Sequence, residues 1–197
     1  MKRSKAFVLS LGLLAGSILS TSVMAAKDVA GVRFDDRYAV GGQSLQLNGA
    51  GLRKKMFIKV YAIGLYLNGK ASTASGVLTQ PGAKSVRIVM LRDVSAEDLS
   101  DSLVKSITAN VSASEMPAIQ GRLNELEANL KTLGQVKRGD VIQMDFLPTS
   151  GTHISTSTQS MPRDIPGEDF YRALLKIWIG EKPSDGDLKD DLLGKAS

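Results

Sequence analysis

From Val32 to Leu67 β-branched and aromatic residues recur between Gly41-Gly42, Asn48-Gly49 and Gly51, a pattern that predicts three strands joined by tight turns. The longest of them, Met56 to Leu67, is apolar on both faces apart from Lys59 and two tyrosines. It therefore belongs at the centre of a sheet covered on at least one side. Lys84 to Arg92 alternates Val86, Ile88 and Met90 against Arg87, Val89 and Leu91 and reads as the next strand. The period then changes. Ser95 and Asp98 open a helix whose Leu99, Leu103, Ile107 and Val111 fall on one face. Ser112 and Glu115 repeat the capping signal, and Leu123, Leu126 and Leu130 carry a second helix to Gly134, with Pro117 tolerated in its first turn. Strand character returns at Asp140 to Leu147 and at Thr152 to Gln159, the latter with the Thr/Ser content of a half-exposed strand. Pro166-Gly167 opens a helix over Glu168 to Ile179, Gly180 ends it, and Asp187 to Leu193 forms a short last helix. The order predicts an α+β domain, an antiparallel sheet with helices gathered on one side, rather than a doubly wound fold.

The N-terminus adds an address. Lys2, Arg3 and Lys5 precede an apolar run from Ala6 to Leu19, and polar Ser20, Thr21 and Ser22 lead to Val23-Met24-Ala25. This is the order of a secretion signal, with Val23 and Ala25 as the small residues before a cleavage point after Ala25. The run falls short of the ~20 apolar residues of a spanning helix, so residues 1–25 are expected to be removed and 26–197 to form a single domain without stable membrane insertion. Removal leaves 22 basic against 20 acidic residues, so the basic balance of the full chain is largely a property of the leader. Nucleic acid is not an expected partner, since there is neither a basic stripe nor aromatic interleaving. With no cysteine in the chain, disulfides, thiolate metal sites and thiol nucleophiles are excluded. The expected location is the periplasm.

No familiar catalytic constellation is present. His153 is the only histidine, in a Thr/Ser-rich strand with no patterned carboxylate or serine motif beside it, and reads as a surface residue. No HExxH, EF-hand or Cys/His cluster occurs, so no metal or cofactor is implied. Gly49-Ala50-Gly51 lacks the third glycine and the helix start of a phosphate loop and reads as a turn or bulge. Arg53-Lys54-Lys55 reads as a solvated hairpin tip.

In combination these segments say more. Gly49-Ala50-Gly51-Leu52-Arg53 followed by Lys59-Val60-Tyr61-Ala62-Ile63-Gly64-Leu65-Tyr66-Leu67 resembles the chalcone isomerase superfamily, in which a glycine-rich turn bearing an arginine leads into a K-x-x-A-I-G-x-Y-L strand. Ile179-Gly180-Glu181 and Asp187-Leu188-Lys189 are similar to the family's I-G-E…D-L-K passage, so the resemblance runs from Val32 to Leu193. It implies the chalcone isomerase fold, an open-faced β-sandwich whose large antiparallel sheet is covered by helices, with a ligand cleft between. Of the plant enzymes' catalytic groups only the arginine carries over, as Arg53. The lysine position falls on Met90, the tyrosine on Leu99, the helix asparagine on Ser106 and the late threonine on Ile177. Losing those donors removes charge stabilisation and leaves an apolar wall, which argues against flavanone synthesis.

The strand threonine of the enzymes is replaced by Tyr61. The superfamily's non-catalytic fatty-acid-binding branch is similar in pairing the arginine with a tyrosine there, the two gripping a ligand carboxylate. The resemblance thus implies a fatty acid or similar amphipathic carboxylate held by Arg53 and Tyr61, with Met90, Leu99 and Ile177 along the alkyl chain and Lys59 in support. The alternative is an isomerase or intramolecular lyase with Tyr61 or Tyr66 as proton donor. Tyr61 as a core residue and Arg53 in a structural ion pair are also open. Along one unbroken strand Arg53 and Tyr61 would stand about 26 Å apart at ~3.3 Å per residue. A turn around Lys54 and Lys55 is therefore required. Ligand identity and oligomeric state are not legible.

Overall fold

The computed structural model describes residues 26–195; the segment read as a signal, residues 1–25, lies outside the described residues. Ten strands and five helices follow one another as β1 (Lys27–Val29), β2 (Val32–Phe34), β3 (Arg37–Val40), β4 (Gln43–Lys55), β5 (Ile58–Leu67), α1 (Ala74–Thr79), β6 (Lys84–Met90), β7 (Val94–Ser95), α2 (Ala96–Asn110), α3 (Met116–Lys131), β8 (Gln135–Val136), β9 (Val141–Leu147), β10 (Gly151–Thr156), α4 (Glu168–Ile179) and α5 (Gly186–Leu192). Six of the strands form one antiparallel sheet in the order β10-β9-β6-β5-β4-β3. The fold is a mixed α+β one, and β5 lies inside the sheet as its two-sided apolar character requires.

Alternation along the strands builds two cores. Ile63 and Leu65 of β5, Val86 and Ile88 of β6 and Ile142 and Met144 of β9 join side chains from all five helices in the larger cluster. Ala62 and Tyr66 point the other way, with Leu45, Leu47 and Ala50 of β4, and are covered by Val29 and Phe34 of the β1–β2 hairpin. The sheet curls toward this second face. Tyr38 of β3 donates its hydroxyl to Asp145 of β9 at 3.5 Å, although the two strands are separated by β4, β5 and β6 in the sheet.

Caps place the helices where the sequence asks for them. The Ser95 hydroxyl accepts from Asp98 N–H at 3.0 Å to start α2. Ser112 and Glu115 form a reciprocal box ahead of α3, Glu115 N–H donating to the Ser112 hydroxyl and Ser112 N–H to the Glu115 carboxylate. Among the described residues no helix is long and apolar enough to cross a membrane.

The region from Val32 to Leu67 differs from its expected form. It holds four strands, not three, and the longest is β4, not the Met56–Leu67 segment. Of the two readings of Asn48 to Gly51, turn or bulge, the bulge holds: β4 continues through the segment with a register shift between Leu47 and Gly49. The two glycines answer to a neighbour. A Cβ on Gly49 would overlap the backbone oxygen of Asp191, and one on Gly51 would press on the Asp191 and Leu188 side chains. They let α5 lie directly on the strand. The short elements β1, α1, β7 and β8 carry too few residues to show a period and were not legible.

Candidate functional site

The β4–β5 hairpin brings together two residues eight apart in sequence. Its turn falls at Met56 and Phe57, two residues beyond the expected Lys54-Lys55, and it sets Arg53 directly opposite Tyr61. Tyr61 in turn faces Met90 on β6. Arg53, Tyr61 and Met90 therefore form one row across three strands on the helix-covered face, close enough for neighbouring side chains to share a ligand.

Above this row the helices do not close down on the sheet. A cavity of about 380 Å³ separates them, lined by Arg53, Tyr61, Met90, Leu99, Ile177 and Trp178 among others. Small-molecule sites occupy roughly 300–1,000 Å³. Ile88, Ile142, Met144, Leu103 and Leu130 deepen it toward the core, so its interior is apolar, while Lys55, Arg92 and Asp98 stand at the rim. Both rim cations are exposed. Asp98 is already engaged by the Ser95 hydroxyl at 2.7 Å. Five of the six residues singled out in the sequence thus meet at one hollow. Lys59 does not: after a second register shift it pairs with Lys54 and lies exposed toward the hairpin tip.

Two further polar residues, Trp178 and Ser184, line this end of the cavity, and a third, Asp185, backs Arg53. Trp178 donates its indole N–H to the Tyr61 hydroxyl at 2.9 Å. That uses the phenol as an acceptor and leaves its own proton free to donate. Asp185 lies 3.7 Å from the Arg53 guanidinium, with both side chains largely covered. The same carboxylate accepts from Lys54 N–H and caps α5 at Leu188 N–H. Asp185 thus holds Arg53 from one side, and the fork retains donors for a second anion. Ser184 also lines the cavity; its buried hydroxyl makes no close hydrogen bond but lies near enough to Tyr61 to help hold the phenol's value down. None of the three was singled out from sequence. Ser184-Asp185-Gly186 ahead of α5 does carry an N-cap signal that would have marked Asp185.

The electrostatics favour a phenol that stays protonated. Burial pushes Tyr61 above the ordinary tyrosine value, and the Trp178 hydrogen bond and the Arg53 charge offset this only in part. Tyr66 lies on the other face of the sheet, away from the cavity, and burial raises it to about 12. Neither is displaced downward, toward the neutral range where a general acid is most efficient. His153 sits on β10, outside the cavity lining. Contrary to the sequence reading it has a carboxylate neighbour, Asp164, at 2.8 Å.

A large curled antiparallel sheet with helices layered on one face is consistent with the chalcone isomerase-like fold. The chain belongs to the chalcone isomerase-like family, whose model matches residues 26–194. The crystal structure of the Arabidopsis thaliana fatty-acid binding protein AtFAP1 is similar, with a TM-score of 0.61 at 16% identity over 83% of this chain and 92% of that one. Among curated proteins no sequence matches significantly.

Proposed function

We propose that the protein is a non-catalytic binding protein for a fatty acid or similar amphipathic carboxylate, working in the periplasm after cleavage near Ala25. The observation that carries this reading is the placement of Arg53 and Tyr61 side by side at the polar end of an otherwise apolar cavity. The carboxylate would take a charge-assisted bond from the guanidinium and a neutral one from the phenol. Met90, Leu99 and Ile177 would line the alkyl chain, and the Ser184 hydroxyl offers a further donor. The likeness to a fatty-acid binding protein supports the ligand class. Isomerase chemistry is the weaker reading, because Tyr66 lies on the other face of the sheet and the cavity presents apolar Met90, Leu99 and Ile177 where the resemblance places the enzymes' polar groups.

The test is lipid extracted from purified protein and quantified by mass spectrometry. A hydrogen bond to a charged group contributes about 1.5–3 kcal/mol. Arg53→Ala should therefore lower the affinity for oleate about ten- to a hundredfold, and co-purifying fatty acid with it. Equal lipid in both proteins would remove the clamp. The address is checked by the mass of the protein released by osmotic shock, which should begin at Ala26.

A further inference from the structure

The β4–β5 turn carries an exposed apolar cluster that the cavity does not use. Met56 is 85% exposed, Phe57 84% and Ile58 40%, the large hydrophobic side chains most open to water among the described residues. They project from the end of a two-strand ribbon, where Asn-Gly or Asp-Gly would make the better turn. Met56 instead sits at φ 56°, a conformation few non-glycine residues adopt. Folding alone gives no reason for these residue types here. Lys54, Lys55 and Lys59 surround the cluster and are all exposed. Arg92, also exposed, adds a cation at the adjoining cavity rim.

We propose that this hairpin tip docks the protein on an anionic lipid bilayer, Met56, Phe57 and Ile58 entering the headgroup boundary and the three lysines facing lipid phosphates. Apolar residues ringed by lysines are the chemistry of reversible interfacial binding. Charge selects the occupant. A second copy seated tip to tip would set Lys54, Lys55 and Lys59 against their own symmetry mates, whereas an anionic surface complements them. Because Lys55 lines the cavity rim as well as the tip, docking would hold the mouth of the hollow at the lipid surface. The docking does not depend on what the cavity holds.

The test uses residues 26–197, which contain both apolar clusters whole and omit the Ala6–Leu19 run that would itself partition into lipid. Co-flotation with phosphatidylethanolamine–phosphatidylglycerol vesicles should exceed that with phosphatidylcholine vesicles and weaken with salt. Each lysine near an anionic surface is worth about fivefold in affinity. Lys54→Gln with Lys59→Gln should therefore cost about twenty-five-fold, and Met56→Ser with Phe57→Ser at least about tenfold. The serine variant should still take up a fluorescent fatty acid from solution, which separates failure of docking from failure of the cavity reading. Since the chain has no cysteine, an environment-sensitive fluorophore on Met56→Cys reports the tip directly and should blue-shift on anionic vesicles. Equal binding to both vesicle types, an unshifted fluorophore, or a dimer lost in the serine variant without vesicle binding would each overturn the proposal.

Discussion

The two faces of the central sheet are built from the same strands and end in opposite states. On the curled face Phe34 is fully buried, and a Cβ added to Gly64 would meet its ring at 2.6 Å, so ring and strand are already in contact. On the helix face α2, α3 and α4 leave about 380 Å³ unfilled. The closed face is held by apolar packing. The open face is roofed by helices tied together partly by polar bridges, such as Lys176 of α4 to Glu115 ahead of α3 and Arg122 of α3 to Asp169 of α4. Both faces carry a buried apolar core, the larger one under the helices, but only there does the packing part beside Arg53 and Tyr61 to leave a hollow.

The contrast is tested most severely by truncation. Phe34→Ala should cost about 3–5 kcal/mol in urea unfolding, the range for a buried aromatic. Leu99→Ala, at the half-buried wall of the hollow, should cost under about 1 kcal/mol, since little packing is lost there. Similar costs at the two sites would erase the distinction. Filling comes next in size. Ala62→Leu on the closed face should destabilise by about 1–3 kcal/mol. Leu99→Trp should leave the melting temperature within a few degrees while lowering oleate affinity at least about tenfold, because the ring has a hollow to enter.

Acid provides the smallest effect and acts on the roof. Glu115 is held down to about 2 from the ordinary 4.5, first by the Ser112 backbone N–H and then by Lys176 and the Ser112 hydroxyl. Its folded value lies below its unfolded one, so its contribution is whole above pH 4.5 and fades as pH falls through about 2. The group is half exposed and solvent-screened. Glu115→Gln should therefore cost under about 1 kcal/mol at pH 7 and nothing near pH 2, in paired unfolding curves. A larger loss that persists in acid would move the tie from the carboxylate to the helix itself.

The sequence made the long elements legible because their periods are long enough to count. The helix Glu168–Ile179 coincides with α4 to the residue, and Ser95 caps α2 as its pattern indicates. Gly49 and Gly51 were legible as a bulge but not as a turn, and what they answer to, α5, lies more than a hundred residues later in the chain. The same limit applied at the cavity. Arg53, Tyr61, Met90, Leu99 and Ile177 could be named through family resemblance; strand register aligns the first three, and the packing of α2 and α4 brings Leu99 and Ile177 over them. Asp185, Ser184 and Trp178 are brought to Arg53 and Tyr61 only by tertiary packing, and no local spacing announces it. Lys59 was misplaced because a register shift beyond Arg53 turns the lysine away, and a shift of one residue cannot be read from composition.

The seat of α5 on β4 ties the mouth of the hollow to the tail of the chain. Asp185 starts that helix and also steadies Arg53, so the aim of the guanidinium depends on the tail lying against the glycines of its own strand. A chain cut short before this aspartate would lose the latch that orients its doorkeeper together with Leu188, Leu192 and Leu193 from the core beneath.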